Sequence, residues 1–124
     1  MTLDVVADTT VLIDHLRGDR RAHDWLRSLD APPLCSELTR TEILVGVRPA
    51  EQGAAERLFS VLRWVEVDER IARSAGELGR RYLPSHRLGL ADLVIAATAL
   101  QHDAVVATGN LRHFPMFERP TRPY

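Results

Sequence analysis

The sequence predicts a single three-layer α/β/α domain, a parallel β-sheet sandwiched between helices. Two observations carry this. Short Val-rich runs alternate with longer helical stretches along the 124 residues, the pattern of βαβ units whose crossover helices cover both faces of a sheet. No linker, internal repeat or low-complexity tract divides the chain, so residues 1–124 read as one domain. A chain of this size buries roughly two-thirds of its unfolded surface, enough for an independent core.

The β-branched run Leu3 to Ala7 predicts a buried first strand. Thr10 to Arg17 reads as a helix closed by Gly18, and Asp19 caps a second helix through Leu29 with Trp25, Leu26 and Leu29 as its apolar stripe. Pro32-Pro33 breaks the chain before a second strand at Leu34 to Ser36, and the next helix carries Glu42, Ile43, Leu44 and Val47. Pro49 suits the first turn of a helix reaching Leu62. Trp64 to Val67 alternates as a third strand, and Asp68 caps a helix to Tyr82. The loop Pro84 to Gly89 leads into an apolar helix, Leu90 to His102, expected to be well buried. Ala104 to Thr108 is the fourth strand, followed by the loop Gly109 to Phe114; the tail, with Pro115, Pro120 and Pro123, is irregular or a short edge strand.

With 45% hydrophobic and 27% charged residues, the composition is that of a soluble globular protein. The net charge of −1 means that nucleic-acid contact must come from local patches. All sixteen Lys-or-Arg residues are Arg, which excludes chemistry that requires a lysine. Cys35, the only cysteine, permits neither an intramolecular disulfide nor a cysteine-rich zinc site and reads as a small buried residue. Met1-Thr2-Leu3-Asp4-Val5 has no basic start and no long apolar core follows, so no membrane span is expected and the predicted location is cytoplasmic.

Three acids stand where a strand or loop turns into a helix: Asp8 after Val5-Val6-Ala7, Glu42 in Thr39-Arg40-Thr41-Glu42, and Asp92 in Leu90-Ala91-Asp92-Leu93. In a parallel α/β fold such junctions gather at the carboxyl edge of the sheet, where ligands bind. Carboxylates brought together there repel, by ~4 kcal/mol per pair at ~4 Å and an effective dielectric of ~20, unless a cation sits among them. Oxygen ligands of this kind suit Mg²⁺ or Mn²⁺. Each acid also has a purely structural reading. Asp8 can be an N-cap, Thr39 and Glu42 fit a capping box, and Asp92 complements a helix dipole. Against these stand the apolar surroundings of Asp92, where an unpaired charge is costly, and the central strand that Asp8 follows.

Asn110 and His113 follow the fourth strand and are expected at the same edge, with structural readings as a turn residue and a surface histidine. His15, His23, His86 and His102 are too scattered for a metal-ligand pattern. Arg87 and Arg112 flank the expected crevice as candidate phosphate contacts, whereas Arg20-Arg21 and Arg80-Arg81 read as solvated helix faces. Competing α/β chemistries lack their signatures: there is no glycine-rich dinucleotide fingerprint, no phosphate loop ending in Gly-Lys and no Gly-x-Ser-x-Gly elbow. A receiver domain needs a lysine, and a haloacid-dehalogenase-type phosphatase needs an acid where Thr10 stands.

Four segments, in order, resemble the PIN-domain ribonucleases, and within them the VapC-type toxins of bacterial toxin–antitoxin pairs. They are Val6-Ala7-Asp8-Thr9-Thr10-Val11-Leu12-Ile13-Asp14, Glu42 to Val47, Leu90 to Ala99, and Ala107-Thr108-Gly109-Asn110-Leu111-Arg112-His113-Phe114. The resemblance implies that Asp8, Glu42 and Asp92 bind Mg²⁺ or Mn²⁺ and support cleavage of an RNA phosphodiester, leaving 5′-phosphate and 3′-hydroxyl ends. On that reading Asp8 and Asp92 hold the metal, Glu42 binds it or orients the attacking water, and Thr9 or Thr10 positions a ligand. A fourth acid often stands in the family where this chain has His113, so Asn110, Thr108 or water takes that place. Asp14 matches the family pattern as supporting structure. The resemblance further implies a homodimer and a VapB-type antitoxin whose Arg enters the acidic crevice. Two alternatives remain at this point. One is a PIN domain that binds RNA or a protein without cutting, which the His113 departure suggests. The other is a flap-type DNA nuclease, for whose helical arch the chain leaves no room.

Overall fold

Four parallel strands of three residues each, β1 (Val5–Ala7), β2 (Leu34–Ser36), β3 (Arg63–Val65) and β4 (Val105–Ala107), form one sheet in the order β3-β2-β1-β4. The structure is a computed structural model, and it describes residues 3–118 and 120–124. Met1, Thr2 and Arg119 lie outside the described residues, together with the parts of the N-terminal and one-domain expectations that fall on them. Six helices connect and cover the sheet: α1 (Thr9–Leu16), α2 (Arg20–Ser28), α3 (Glu37–Gly46), α4 (Gln52–Val61), α5 (Glu69–Tyr82) and α6 (Leu90–Gln101). The chain runs outward from β1 through β2 to β3, then returns to the other side of β1 as β4. The direction of winding therefore reverses between β1 and β4, the kind of switch point where open α/β sheets bind ligands.

β2 is buried throughout and β1 and β4 nearly so, whereas β3 at the sheet edge is half-buried; alternate side chains serve opposite layers. Val6, Leu34 and Val106 pack with Ile95, Ala96 and Ala99 of α6 and with Phe114. Ala7 and Cys35 face the other way, onto Leu12, Ile43, Leu58 and Phe59. The Ala-rich stretch of α6 lets this helix lie close to the sheet. Ile95 to Ala99 are all buried, whereas Leu90 and Leu100 at its two ends are exposed. Ile71 and Ala75 of α5 pack on Leu93 and Ala97 of α6. There Gly79 eases the close approach, since a Cβ would stand 3.2 Å from Leu93 Cδ1 and the leucine would have to give way slightly.

Several expected punctuation marks act as read. Asp19 accepts the Arg21 N–H at 2.9 Å and Asp68 accepts the Ile71 N–H at 2.9 Å. Gly18 takes the left-handed conformation, φ +84°, that ends α1. Other boundaries differ. Leu3 and Asp4 precede the first strand, and β3 is Arg63–Val65, not Trp64 to Val67. It starts earlier because Arg63 pairs with Leu34 and donates its N–H to Pro33 O, and it ends before Asp68 caps α5. The segment from Pro49 is not one helix. Pro49–Glu51 is a 3₁₀ turn, in which Glu51 N–H donates to Arg48 O at 2.8 Å and the Glu51 carboxylate accepts the Arg48 N–H. In the tail, Thr121 forms an isolated parallel bridge with Ala107, so the edge of β4 carries one paired residue.

Candidate active site

The register of the two central strands builds the site. Ala7 pairs with Ala107, so the next residues, Asp8 and Thr108, emerge side by side at the carboxyl edge. The Asp8 N–H continues the ladder by donating to Ala107 O at 2.9 Å. Both residues are buried, Asp8 at 4% and Thr108 at 0% exposure. The Thr108 hydroxyl donates to Asp8 Oδ2 at 2.7 Å and that of Thr10 donates to the same oxygen at 3.1 Å. Thr108 Oγ1 in turn accepts the Asn110 N–H at 2.9 Å. Asp8 occupies the N-cap position of α1, yet its side chain makes no capping bond. Its carboxylate is directed to the hydroxyls of the crevice.

Glu42 reaches the same edge by another route. The expected capping box with Thr39 does not form, and Glu42 is not a helix-start acid. Ser36 caps α3, accepting the Leu38 N–H at 3.1 Å. That starts the helix at Glu37 and leaves Thr39 and Glu42 inside it, one turn apart on one face. The face meets the start of α1. Thr9 Oγ1 donates to Glu42 Oε1 at 2.6 Å and lies 3.0 Å from the buried Thr39 hydroxyl. Thr39 is a site residue that the sequence reading assigned to local capping. Its three-residue spacing from Glu42 was the available signal.

Asp92 sits in the first turn of α6, where Oδ2 accepts the Gly89 N–H at 3.0 Å. The structural reading of Asp92 as a helix-start acid therefore holds, and a second role lies beside it. The same oxygen is 3.3 Å from His113 Nδ1, with the Asp92 side chain only 15% exposed. The Asn110 amide nitrogen lies 3.1 and 3.3 Å from the two ring nitrogens of His113. The loop after β4 thus delivers Thr108 to Asp8 and His113 to Asp92.

The Asp8 carboxyl is held above its ordinary range. Burial is the largest cause; the Thr108 and Thr10 hydroxyls oppose it, and the charge of Asp92 adds to the rise. Asp8 and Asp92 therefore feel each other electrostatically, which a cation between them would relieve. Among the described residues no three His, Cys, Asp or Glu side chains already stand close enough to form a metal cage. The donor set suits a small hard ion that keeps much of its water and takes one or two carboxylates, as Mg²⁺ does. Asp8 and Asp92, which sense each other's charge, fit such a pair, and Glu42 is held by the Thr9 hydroxyl.

The remaining candidates divide. Arg87 and Arg112, with His86 and His113, line one cleft beside Asp92. Asp14 accepts the Tyr124 hydroxyl and ties the tail to α1. His15 and His23, far apart in sequence pattern, are stacked with ring centroids 5.5 Å apart and line an apolar cavity of about 290 Å³ with Leu26 and Leu58. Burial, then the neighbouring His23, lowers the pKa of His15. Among the described residues no helix is long and apolar enough to cross a membrane.

Comparisons with known proteins bear on the family and the fold. The model of the PIN domain family matches residues 5–119. The chain is 47% identical over 121 residues to Ribonuclease VapC19 of Mycobacterium tuberculosis, covering 94% of this chain and 97% of that protein. It is 45% identical over 123 residues to Ribonuclease VapC10 of the same organism, covering 97% and 92%. Among solved structures, a chain of a toxin–antitoxin complex from Klebsiella pneumoniae superimposes with a TM-score of 0.83 at 28% identity, covering 98% of each chain. A chain of VapBC2 from Rickettsia felis, at 18% identity and a TM-score of 0.80 over 94% of each, shares the fold. With a family model spanning nearly its whole length and relatives this similar, the chain belongs to the PIN domain family.

Proposed function

We propose that this protein is a ribonuclease, dependent on Mg²⁺ or Mn²⁺, and the toxin of a toxin–antitoxin pair. The observation that carries the reading is the buried carboxylate of Asp8 at the switch point of the sheet. It is held by two threonine hydroxyls and raised in pKa partly by Asp92. Names of relatives point the same way: two are called ribonucleases, and a structural neighbour at 28% identity comes from a toxin–antitoxin complex.

Asp8 and Asp92 would hold the divalent ion, which when bound would supply Lewis-acid activation of water and charge neutralisation at the phosphate. The rest falls to the chain itself. Thr108 and Thr10 fix Asp8 Oδ2, so the carboxylate need not reorganise when substrate arrives. Thr9 holds Glu42 through Oε1, which leaves Oε2 to take a proton from the attacking water. His113, beside Asp92 and braced by Asn110, stands where a fourth acid often stands in the family; it orients Asp92 and receives substrate without adding negative charge.

The partner is a VapB-type antitoxin that inhibits by placing an arginine among the carboxylates, where a guanidinium answers their repulsion as a metal does. A homodimer is supported by an apolar cleft at α5 and α6, where Val67, Leu83 and Leu90 are exposed. The direct test is cleavage of total cellular RNA by purified protein with Mg²⁺, with Mn²⁺, with EDTA and as Asp8→Asn. Cuts that need metal and vanish in the variant support the proposal. RNA binding with no cut under any metal would replace it with the non-cleaving alternative.

A further inference from the structure

A second cleft, of about 480 Å³, opens between the loop after α5 and the segment after β4. Ser85, His86 and Arg87 form one wall, Arg112 and His113 the other, and no Asp or Glu lines it. In a chain with seventeen acids and a net charge of −1, that is a local reversal of sign. Arg17, Arg21, Arg40, Arg63 and Arg73 are each paired with a carboxylate. Arg87 and Arg112 are exposed and have no such partner among the described residues, so their charge faces the cleft unneutralised.

Two features turn this positive wall into a site for a nucleotide strand. His113 belongs to both clefts, since its Nδ1 lies 3.3 Å from Asp92 Oδ2. The basic cleft therefore opens directly onto the acidic one. The His86 ring has two contacts: its Nδ1 is 2.9 Å from Ser85 Oγ, and it lies 6.1 Å from the Tyr82 ring at an interplanar angle of 66°. A flat ring beside two forked guanidiniums offers a stacking surface and bidentate phosphate donors together. The volume lies in the range that accepts a small ligand or one nucleotide unit.

We infer that this cleft holds the single-stranded RNA flanking the scissile phosphate. Arg87 and Arg112 clamp a backbone phosphate, and His86 stacks an unpaired base beside it. This deepens the ribonuclease reading and rests on it. Recognition of an unstacked base also makes the cleft selective for loops and ends over duplex.

The test separates binding from cutting. In an Asp8→Asn background, which leaves RNA intact, the fluorescence anisotropy of a labelled single-stranded RNA of mixed sequence is followed against salt, with the corresponding duplex alongside. Arg87→Ala and Arg112→Ala are each expected to weaken binding by about tenfold or more and to lower the salt slope by about 0.7 per lost phosphate contact. His86→Ala is expected to weaken it about 5- to 150-fold. Arg70→Ala, an exposed change on α5, is the control and leaves both quantities unchanged. In the otherwise wild-type protein the two arginine variants raise KM more than they lower kcat. If wild type cuts RNA while both variants keep its KM, affinity and salt slope, the cleft assignment is overturned and the ribonuclease reading stands. If wild type cuts nothing and the Asp8→Asn protein binds no RNA, both fall. Binding without cutting that is lost in Arg87→Ala supports the cleft alone.

Discussion

Replacing Asp8 by Asn should move thermal stability in opposite directions with and without metal. Asp8 is 4% exposed, and burial, helped by the charge of Asp92, holds its carboxyl above the ordinary range. The native state thus binds that proton more tightly than the unfolded chain does. Stability from this group therefore falls as pH rises from the unfolded value through the native one, and the full penalty is present above both. Asn carries no charge, and its Oδ1 can still accept from the Thr108 and Thr10 hydroxyls. In EDTA at neutral pH the variant is expected to melt above wild type, with the gap closing in acid below the unfolded carboxyl value.

With metal the order reverses. A divalent ion at a hundred times its Kd stabilises the native state by about 2.7 kcal/mol. An unfolding entropy of about 2.1 cal/mol/K per residue over 124 residues converts that to a Tm rise of ~10 °C in wild type. The variant, left with Asp92 alone of the pair, should show little or none of it. Scanning fluorimetry of both proteins in EDTA and in a Mg²⁺ series measures the two effects at once. An Asp8→Asn protein that melts below wild type in EDTA, or that keeps the metal-induced rise, would refute the reasoning.

Three further outcomes are expected. Thr9→Val removes the 2.6 Å donor to Glu42; a hydrogen bond to a charged group contributes about 1.5–3 kcal/mol, so kcat on RNA should fall by roughly tenfold to a hundredfold with KM little changed. Phe114→Ala empties a fully buried site between β4 and α6 and should cost about 3–5 kcal/mol in urea unfolding, with activity lost only as the fold is lost. Burial pushes the Cys35 thiol up to about 12, so an alkylating reagent at pH 8 should modify it only after denaturant is added.

How far the fold was legible follows from which interactions are local. Short β-branched runs and helix caps are written within a few residues, and Asp19 and Asp68 cap the helices the sequence assigns to them. Gly18 closes α1 for the same reason. Boundaries set by a partner strand were not legible. Arg63 enters β3 because Leu34 lies opposite, and nothing near Arg63 in the chain says so. The stacked His15 and His23 show the same limit: they read as too scattered to form a pattern until α1 and α2 pack together.

The site divides along the same line, and Glu42 shows how one local capping signal is overridden by an earlier one. Thr39-x-x-Glu42 satisfies a local capping rule, and so does the Ser36 that precedes it by three residues. The backbone obeys the earlier signal. Once the helix begins there, the same spacing that suggested a box presents both side chains to α1 instead. Thr9, thirty-three residues away, then donates its hydroxyl to Glu42 in place of the backbone N–H that the box would have supplied. Asp8 and Thr108 are a hundred residues apart and meet only because β4 returns to the free side of β1. Asp8 and Asp92, which sense each other's charge, were readable together, because charge near apolar runs demands a partner. The hydroxyls that hold them were not, since a threonine at the end of a strand is ordinary until the register places a carboxylate beside it.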